Sequence, residues 1–375
     1  MELRRFYATT SRGLERYLEE ELIKEGCCQT KVEESIVFFN TSLINACRLN
    51  FFLRLANKIV IILDEREIKT ADDLYNQALS VDWFEWFDIT NTFAVESVVL
   101  SSQFLHSGFC ALKVKDAIAD FFRKLLNKRP SVDKFSPDIF IDLRIINNIS
   151  TLGINLSGER LFKRGYSLNR GKAPLKETLA AGIMAVIRPE DYDVIIDPMA
   201  GSGTLIIEAS LRVLNIPPGR YRTNFAYKKL KPLKNFSIKP FYDGNLSLLN
   251  NKIFICRDID SNAIEKCKEN IKRVGLNKII KVERCDFFNS PLENYSNKKI
   301  VLFFNPPYGR RIKEKNIFQF YKKIGDTLKT RWKNATAWIF TEKGEHLKKI
   351  GLRSSSKVTL YNGSIECRLI KFEIY

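Results

Sequence analysis

Histidine is nearly missing from this chain. His106 and His346 are the only two in 375 residues, and neither belongs to a cluster of cysteines. The eight cysteines (Cys27, Cys28, Cys47, Cys110, Cys256, Cys267, Cys285 and Cys367) include no Cys-x-x-Cys pair. A zinc site needs clustered soft ligands, and a disulfide framework needs patterned cysteines in a small secreted chain. Neither is expected, no metal is called for, and the cysteines read as small buried apolar residues. No apolar run approaches the roughly 20 residues that span a bilayer, and the start, Met1-Glu2-Leu3-Arg4-Arg5, lacks a signal-peptide apolar stretch. The expectation is a cytoplasmic protein without a membrane partner. Its length suffices for two or three cored domains.

Acidic excess is also missing, but only from one half. Residues 1–155 hold 19 Lys/Arg against 22 Asp/Glu, whereas residues 156–375 hold 42 against 21. A compositional bias of the source would affect both halves. The basic excess is confined to the second, which points to a polyanionic substrate there.

That second half contains two stretches that carry chemistry. Asp197-Pro198-Met199-Ala200-Gly201-Ser202-Gly203-Thr204 follows the apolar run Val194-Ile195-Ile196 and precedes Leu205-Ile206-Ile207. The pattern predicts a buried strand, a tight glycine turn and a helix start, where backbone can approach a ligand and free amides can donate. The second stretch, Asn305-Pro306-Pro307-Tyr308-Gly309, follows the apolar strand Ile300–Phe304. Two prolines cannot continue a sheet ladder, so a stiff loop must present the Asn305 amide oxygen, the proline carbonyls and the Tyr308 ring. Those groups suit gripping a planar base and accepting from its exocyclic amine.

Together the two stretches resemble class I S-adenosylmethionine-dependent methyltransferases acting on exocyclic amino nitrogens. "TTSRGLERYLEEELIKEG" near the start and "LSGERLFKRGYSLNRGKAPLKETLAAGIM" at 156–184 narrow this to the THUMP-containing RNA methyltransferases. The resemblance covers essentially the whole chain. It implies an α/β protein with a C-terminal seven-stranded Rossmann-like methyltransferase domain at 158–375. Before it would come a ferredoxin-like α+β domain at 1–63 and an RNA-binding THUMP domain at 64–157. The cofactor would be S-adenosylmethionine. The substrate would be the N2 of a guanine in RNA, ribosomal (23S) in preference to transfer RNA. Adenine N6 in DNA and a non-catalytic RNA-binding role are the competing readings. Oligomeric state is not legible.

Individual residues follow. Asn305, Pro306, Pro307 and Tyr308 are the catalytic set. The strand at 252–257 ends in Asp258-Ile259-Asp260; Asp258 suits a ribose diol, with Ile259 beside it, and Asp260 or Ser261 suits a helix cap. By resemblance, Asp286 accepts from the adenine amine and Phe287 packs on its ring. The junction holds Arg160, Lys163, Arg164, Arg170, Lys172 and Lys176, with no acid from Lys163 to Lys176, which favours phosphate contact. An insertion at 215–251 interleaves Lys228, Lys229 and other lysines with Tyr221, Phe225, Tyr227 and Phe236, a pattern suited to RNA. Arg310 and Arg311 are placed to hold flanking phosphates. Trp83, Phe84, Trp86 and Phe87, in a near-neutral segment, read as core. Leu14, Leu18, Leu22 and Ile23 read as one face of a helix from Gly13 to Glu25, and Asn147-Asn148 as a hairpin turn.

Overall fold

Alternating or continuous apolar runs between turn signals produce fifteen strands among the described residues, gathered into two sheets. The computed structural model describes residues 2–375 except 103, 105, 168–174, 238–245, 250, 251, 291–294, 296 and 308–313. No helix among the described residues is long and apolar enough to cross a membrane. The chain divides into two units.

The first unit comprises Met1–Thr10, Leu18–Leu161 and Arg222–Pro240. Its elements are β1 (Arg4–Thr9), most of α1 (Glu15–Lys24), β2 (Cys28–Glu33), β3 (Ile36–Thr41), α2 (Leu43–Phe52) and β4 (Lys58–Glu67). They continue with α3 (Ala71–Ser80), β5 (Thr92–Leu100), α4 (Ser107–Leu126), β6 (Ser131–Val132), β7 (Ile139–Ile146) and β8 (Ile149–Asn155). One sheet runs β2-β3-β1-β4-β8-β7-β5-β6. The boundary expected after residue 63 falls inside β4, whose residues Val60 to Glu67 pair antiparallel with β8. Lys58 lies almost wholly buried and binds Asp142 of β7, which also accepts from the Tyr7 hydroxyl of β1. The edge of this cluster is closed by Glu96, 3.3 Å from Lys58 and 2.9 Å from Arg160. Buried charge of this kind is tolerated because each group has a partner.

Several local expectations hold here. Asn147 and Asn148 both take positive φ, as a tight hairpin requires. Trp83, Trp86 and Phe87 are core, but Phe84 is 40% exposed. Others need correction. Ile23 is 56% exposed, because the buried positions of α1 are Leu18 and Leu22, one turn apart. Cys28 is exposed at the start of β2, a polar strand whose weak alternation hid it. Phe225 and Tyr227 of the insertion are buried in this unit, where Tyr227 donates its amide to the Leu156 carbonyl at 2.9 Å. Their rings are therefore not free to stack on bases.

The second unit comprises Ser11–Tyr17, Phe162–Tyr221 and Phe241–Tyr375. It contains α5 (Glu177–Ile187), β9 (Val194–Asp197), α6 (Thr204–Val213), β10 (Ile253–Asp258), α7 (Ser261–Arg273), β11 (Ile280–Arg284), β12 (Ile300–Phe304), α8 (Glu314–Arg331), β13 (Ala335–Glu342), β14 (Ser354–Asn362) and β15 (Ile365–Glu373). The sheet order is β11-β10-β9-β12-β13-β15-β14, with β15 antiparallel to both neighbours. This is the expected seven-stranded Rossmann-like arrangement. Period-two side-chain alternation sends Ile195, Phe254 and Val301 into one core with α5, α6 and α7. Val194, Ile196 and Leu302 enter a second core with α8. A sheet covered on both faces explains why its strands read as unbroken apolar runs. Leu14 belongs to the first of these cores and packs where a Cβ on Gly182 would meet its methyls at 2.2 Å.

Candidate active site

Four parallel neighbours, β11, β10, β9 and β12, end on one edge of the second sheet. The chain proceeds outward from β9 to β10 and β11, then returns to β12, so β9 and β12 flank the point where strand order reverses. Ligands of open α/β sheets lie beyond strand ends at such a point. The register pairs Leu302 with Ile196. The segment starting at Asn305 therefore leaves the sheet beside the turn starting at Asp197, and the two stretches singled out in the sequence converge.

The glycine turn is held by backbone. Ala200 N–H donates to the Arg257 carbonyl at 2.9 Å, Gly203 N–H to the Ala200 carbonyl at 2.8 Å, and Gly201 N–H to Asp258 Oδ2 at 2.8 Å. Gly201 and Gly203 have φ of +55° and +80°. They differ in surroundings. A Cβ on Gly203 would meet Cys267 Sγ at 2.5 Å, whereas one on Gly201 would meet nothing within 4 Å. Gly203 is needed for packing on α7, and Gly201 faces open space. Met199 and Ala200 pack against the two cores, Pro198 is buried, and Thr204 starts α6 with its hydroxyl 3.2 Å from Ser202 Oγ.

Asp197 is 1% exposed; the Met199 backbone amide approaches its carboxylate, but neither oxygen is engaged with good hydrogen-bond geometry among the described residues. Burial pushes its pKa well above the usual carboxylate value; the Met199 backbone amide opposes this only in part, and the charge of Asp258 adds to it. Asn305 Oδ1 is likewise buried without a partner among the described residues. Pro306 is buried and Pro307 half-buried, while Tyr308 lies outside the described residues. Two orphaned acceptors on adjacent strand ends are costly unless a ligand supplies donors.

Asp258 stands at the end of β10. It accepts from Gly201 N–H and, through Oδ1, from Asp260 N–H at 2.9 Å, which leaves each oxygen a further lone pair. Asp260, not Ser261, caps α7 by accepting from Asn262 N–H at 2.9 Å. Ile259 is 61% exposed, an apolar surface beside the acid. Asp286 accepts from Phe288 N–H and Asn289 Nδ2, so it caps its own turn. Phe287 needs correction: it is buried, its ring 4.9 Å from that of Phe304 and 5.6 Å from that of Phe288. It supports the strand end from the core and offers no open face. Open space at Gly201, amides at the α6 start, acids at Asp197 and Asp258 and an apolar Ile259 together fit S-adenosylmethionine.

Among the basic candidates, Arg164 is corrected. It is 1% exposed, with Nε 3.5 Å from Glu208 Oε1 of α6, the same oxygen to which the nearby Tyr166 hydroxyl donates. Lys228 and Lys229 are exposed in the first unit; Lys228 donates to the Thr223 carbonyl at 3.2 Å and Lys229 pairs with Asp138 at 3.4 Å. Arg170, Lys172, Arg310 and Arg311 lie outside the described residues. Sequence reasoning missed Asn270, whose Nδ2 donates to the Ser202 carbonyl at 3.0 Å. A polar residue on the buried Ile264, Cys267, Ile271 stripe of α7 was the available signal.

Comparison with known proteins agrees with this arrangement. Residues 164–371 match an RMKL-like methyltransferase domain, residues 69–155 a THUMP domain, and residues 5–60 an RlmL ferredoxin-like domain. A Synechocystis protein named as an RNA methyltransferase is 33% identical over 99% of this chain and 97% of its own length. A ribosomal RNA large subunit methyltransferase K/L of Syntrophotalea carbinolica is 33% identical over 99% of this chain and 53% of its own. The chain thus spans about half the length of the K/L relatives. A crystal structure of a protein named as a methyltransferase, solved with SAH, superposes over 100% of this chain and 99% of its own, with a TM-score of 0.85 and 25% identity.

Proposed function

Because the chain belongs to the RMKL-like methyltransferase family, with THUMP and RlmL ferredoxin-like segments ahead of that domain, we propose that it methylates the exocyclic N2 of a guanine in RNA using S-adenosylmethionine. Large-subunit ribosomal RNA is the favoured substrate, in the cytoplasm. The observation that carries the reading is Asn305 Oδ1, buried and without a partner among the described residues, on the strand end next to the glycine turn.

When bound, S-adenosylmethionine supplies an electrophilic methyl group on a sulfonium. The glycine turn and the α6 start would hold its methionine portion, Asp258 its ribose hydroxyls, and Ile259 the apolar face of its base. An exocyclic amine shares its lone pair with the ring and is a poor nucleophile. Asn305 Oδ1 and the Pro306 carbonyl would accept hydrogen bonds from its two N–H groups and bias nitrogen toward tetrahedral geometry, the surplus proton leaving to solvent after the methyl is transferred. The gain is alignment and electrostatics from groups fixed before the base arrives. The guanine must first leave its stack, and Tyr308 keeps the stacking role its sequence position suggests.

The test is methyl transfer from labelled cofactor to bulk ribosomal RNA, transfer RNA and DNA, with mass mapping of modified nucleosides. N2-methylguanine in ribosomal RNA is expected. Label found only as N6-methyladenine in DNA would overturn the reading.

A further inference from the structure

The segment from Lys163 to Tyr166 alternates in burial: Lys163 and Gly165 face out, Arg164 and Tyr166 face in. Its inward side chains meet Glu208, a buried acid on α6, one turn beyond the glycine stretch. Tyr166 Oη donates to Glu208 Oε1 at 3.0 Å, and Arg164 Nε lies 3.5 Å from the same oxygen. Burial and the neighbouring Glu208 charge raise the tyrosine pKa well above its usual value, so the hydroxyl stays a donor. The backbone of Tyr166 reaches the same turn by another route. Its carbonyl accepts from Arg273 at 3.4 Å, Arg273 donates to Asn270 Oδ1 at 3.3 Å, and Asn270 Nδ2 holds the Ser202 carbonyl at 3.0 Å. Gly165 makes the approach possible: its φ is +99°, and a Cβ there would lie 2.3 Å from the Tyr221 carbonyl oxygen.

We infer that Tyr166 is a positioning residue that fixes the glycine turn from two sides, through Glu208 and through Arg273 and Asn270. The outward neighbours in this segment include the exposed Lys163, and Lys176 is exposed at the start of α5. A polyanion drawn to that basic surface would bear on the segment that sets the turn, so cofactor and polyanion affinities are coupled, each raising the other by the same factor. This rests on the methyl-transfer reading for the identity of the cofactor only. The turn-fixing role can be measured without it.

The experiment compares the full chain with Tyr166→Phe and Asn270→Ala. Amide hydrogen exchange over 199–206 is followed in the free protein. SAH affinity is measured by calorimetry, with and without added ribosomal RNA fragments. Both variants should exchange faster at the turn, and SAH should bind roughly fivefold more weakly, the usual effect of losing one buried hydrogen bond. RNA should tighten SAH binding to the unaltered chain and do so less in Tyr166→Phe, which loses the Glu208 bond but keeps the carbonyl that Arg273 holds. KM for the cofactor should rise with kcat nearly unchanged. Unchanged exchange at 199–206 with a lowered melting temperature would overturn the proposal by reducing Tyr166 to a packing role. If the unaltered chain bound no SAH, the functional reading would fail, and the exchange data would still decide this one.

Discussion

Asp142 and Asp197 are both nearly inaccessible aspartates in the interiors of their sheets, at 4% and 1% exposure, yet their surroundings are opposite. In the first unit Asp142 is met by the Lys58 ammonium and the Tyr7 hydroxyl. In the second, Asp197 ends β9 with both oxygens unpartnered among the described residues, and Asn305 does the same one strand away. Paired buried charge locates strands relative to one another. Unpaired buried acceptors at strand ends carry a cost that a ligand's donors can remove. Buried unpartnered atoms also occur at Gln77 and Ser150 in the first unit, so the contrast marks the site only together with the convergence of two strand ends.

Breaking the comparison starts with the pairs themselves. Asp142→Ala should destabilise the protein by about 3 kcal/mol, since it leaves the buried Lys58 ammonium with only the exposed Glu96 as a partner. Asp197→Asn should cost nothing at pH 7. Denaturant unfolding of both variants checks this, and a loss of several kcal/mol at Asp197 would refute the distinction. The pH dependence sharpens it. With a folded pKa raised above the unfolded value of about 3.9, the folded chain keeps a proton on Asp197 that the unfolded chain has lost. Stability from this group therefore falls as pH rises from about 4 through the raised pKa. Asp197→Asn should remove that slope, measured without cofactor.

Asn305→Ala should reduce turnover on the order of 10²–10³-fold while SAH affinity stays within about twofold. Equal loss of both would make the segment merely structural. The two glycines of the turn should then part company. Gly203→Ala, forced against Cys267 Sγ, should cost about 1–3 kcal/mol from overpacking alone. Gly201→Ala should cost only the left-handed strain of about 1–2 kcal/mol but weaken SAH binding disproportionately. The smallest effect belongs to the exposed lysines. Replacing Lys228 and Lys229 by Glu should lower the slope of log affinity for RNA against log salt by about 0.7–0.9 per lost contact.

The second sheet was legible in outline because turn residues and apolar runs are local signals, whereas the single first sheet was not, since β4 and β8 pair from far apart in the sequence. The glycine turn and Asn305 were legible because their residue types are poor choices for anything but a strand-end loop. Arg164 was not. A basic residue in a basic stretch looks solvated, and only the fold reveals that Glu208, 44 positions later, takes it inside. Phe287 failed for the same reason, since its partner Phe304 arrives from a distant strand. Phe225 and Tyr227 looked like stacking rings until the insertion was seen to finish the core of the first unit. In each case a polar or aromatic side chain was spent on a long-range contact that spacing cannot encode.

The continuity of β4 into β8 has a mechanical consequence. The ferredoxin-like and THUMP segments look like beads on a string in sequence, but ladder hydrogen bonds weld them into one plate, so neither can swivel about the other. A fragment cut after residue 63 would expose the raw margin of β4, and the remainder that of β8, and both pieces should clump rather than fold apart. Any force applied to one of these segments is passed along the shared ladder to the other.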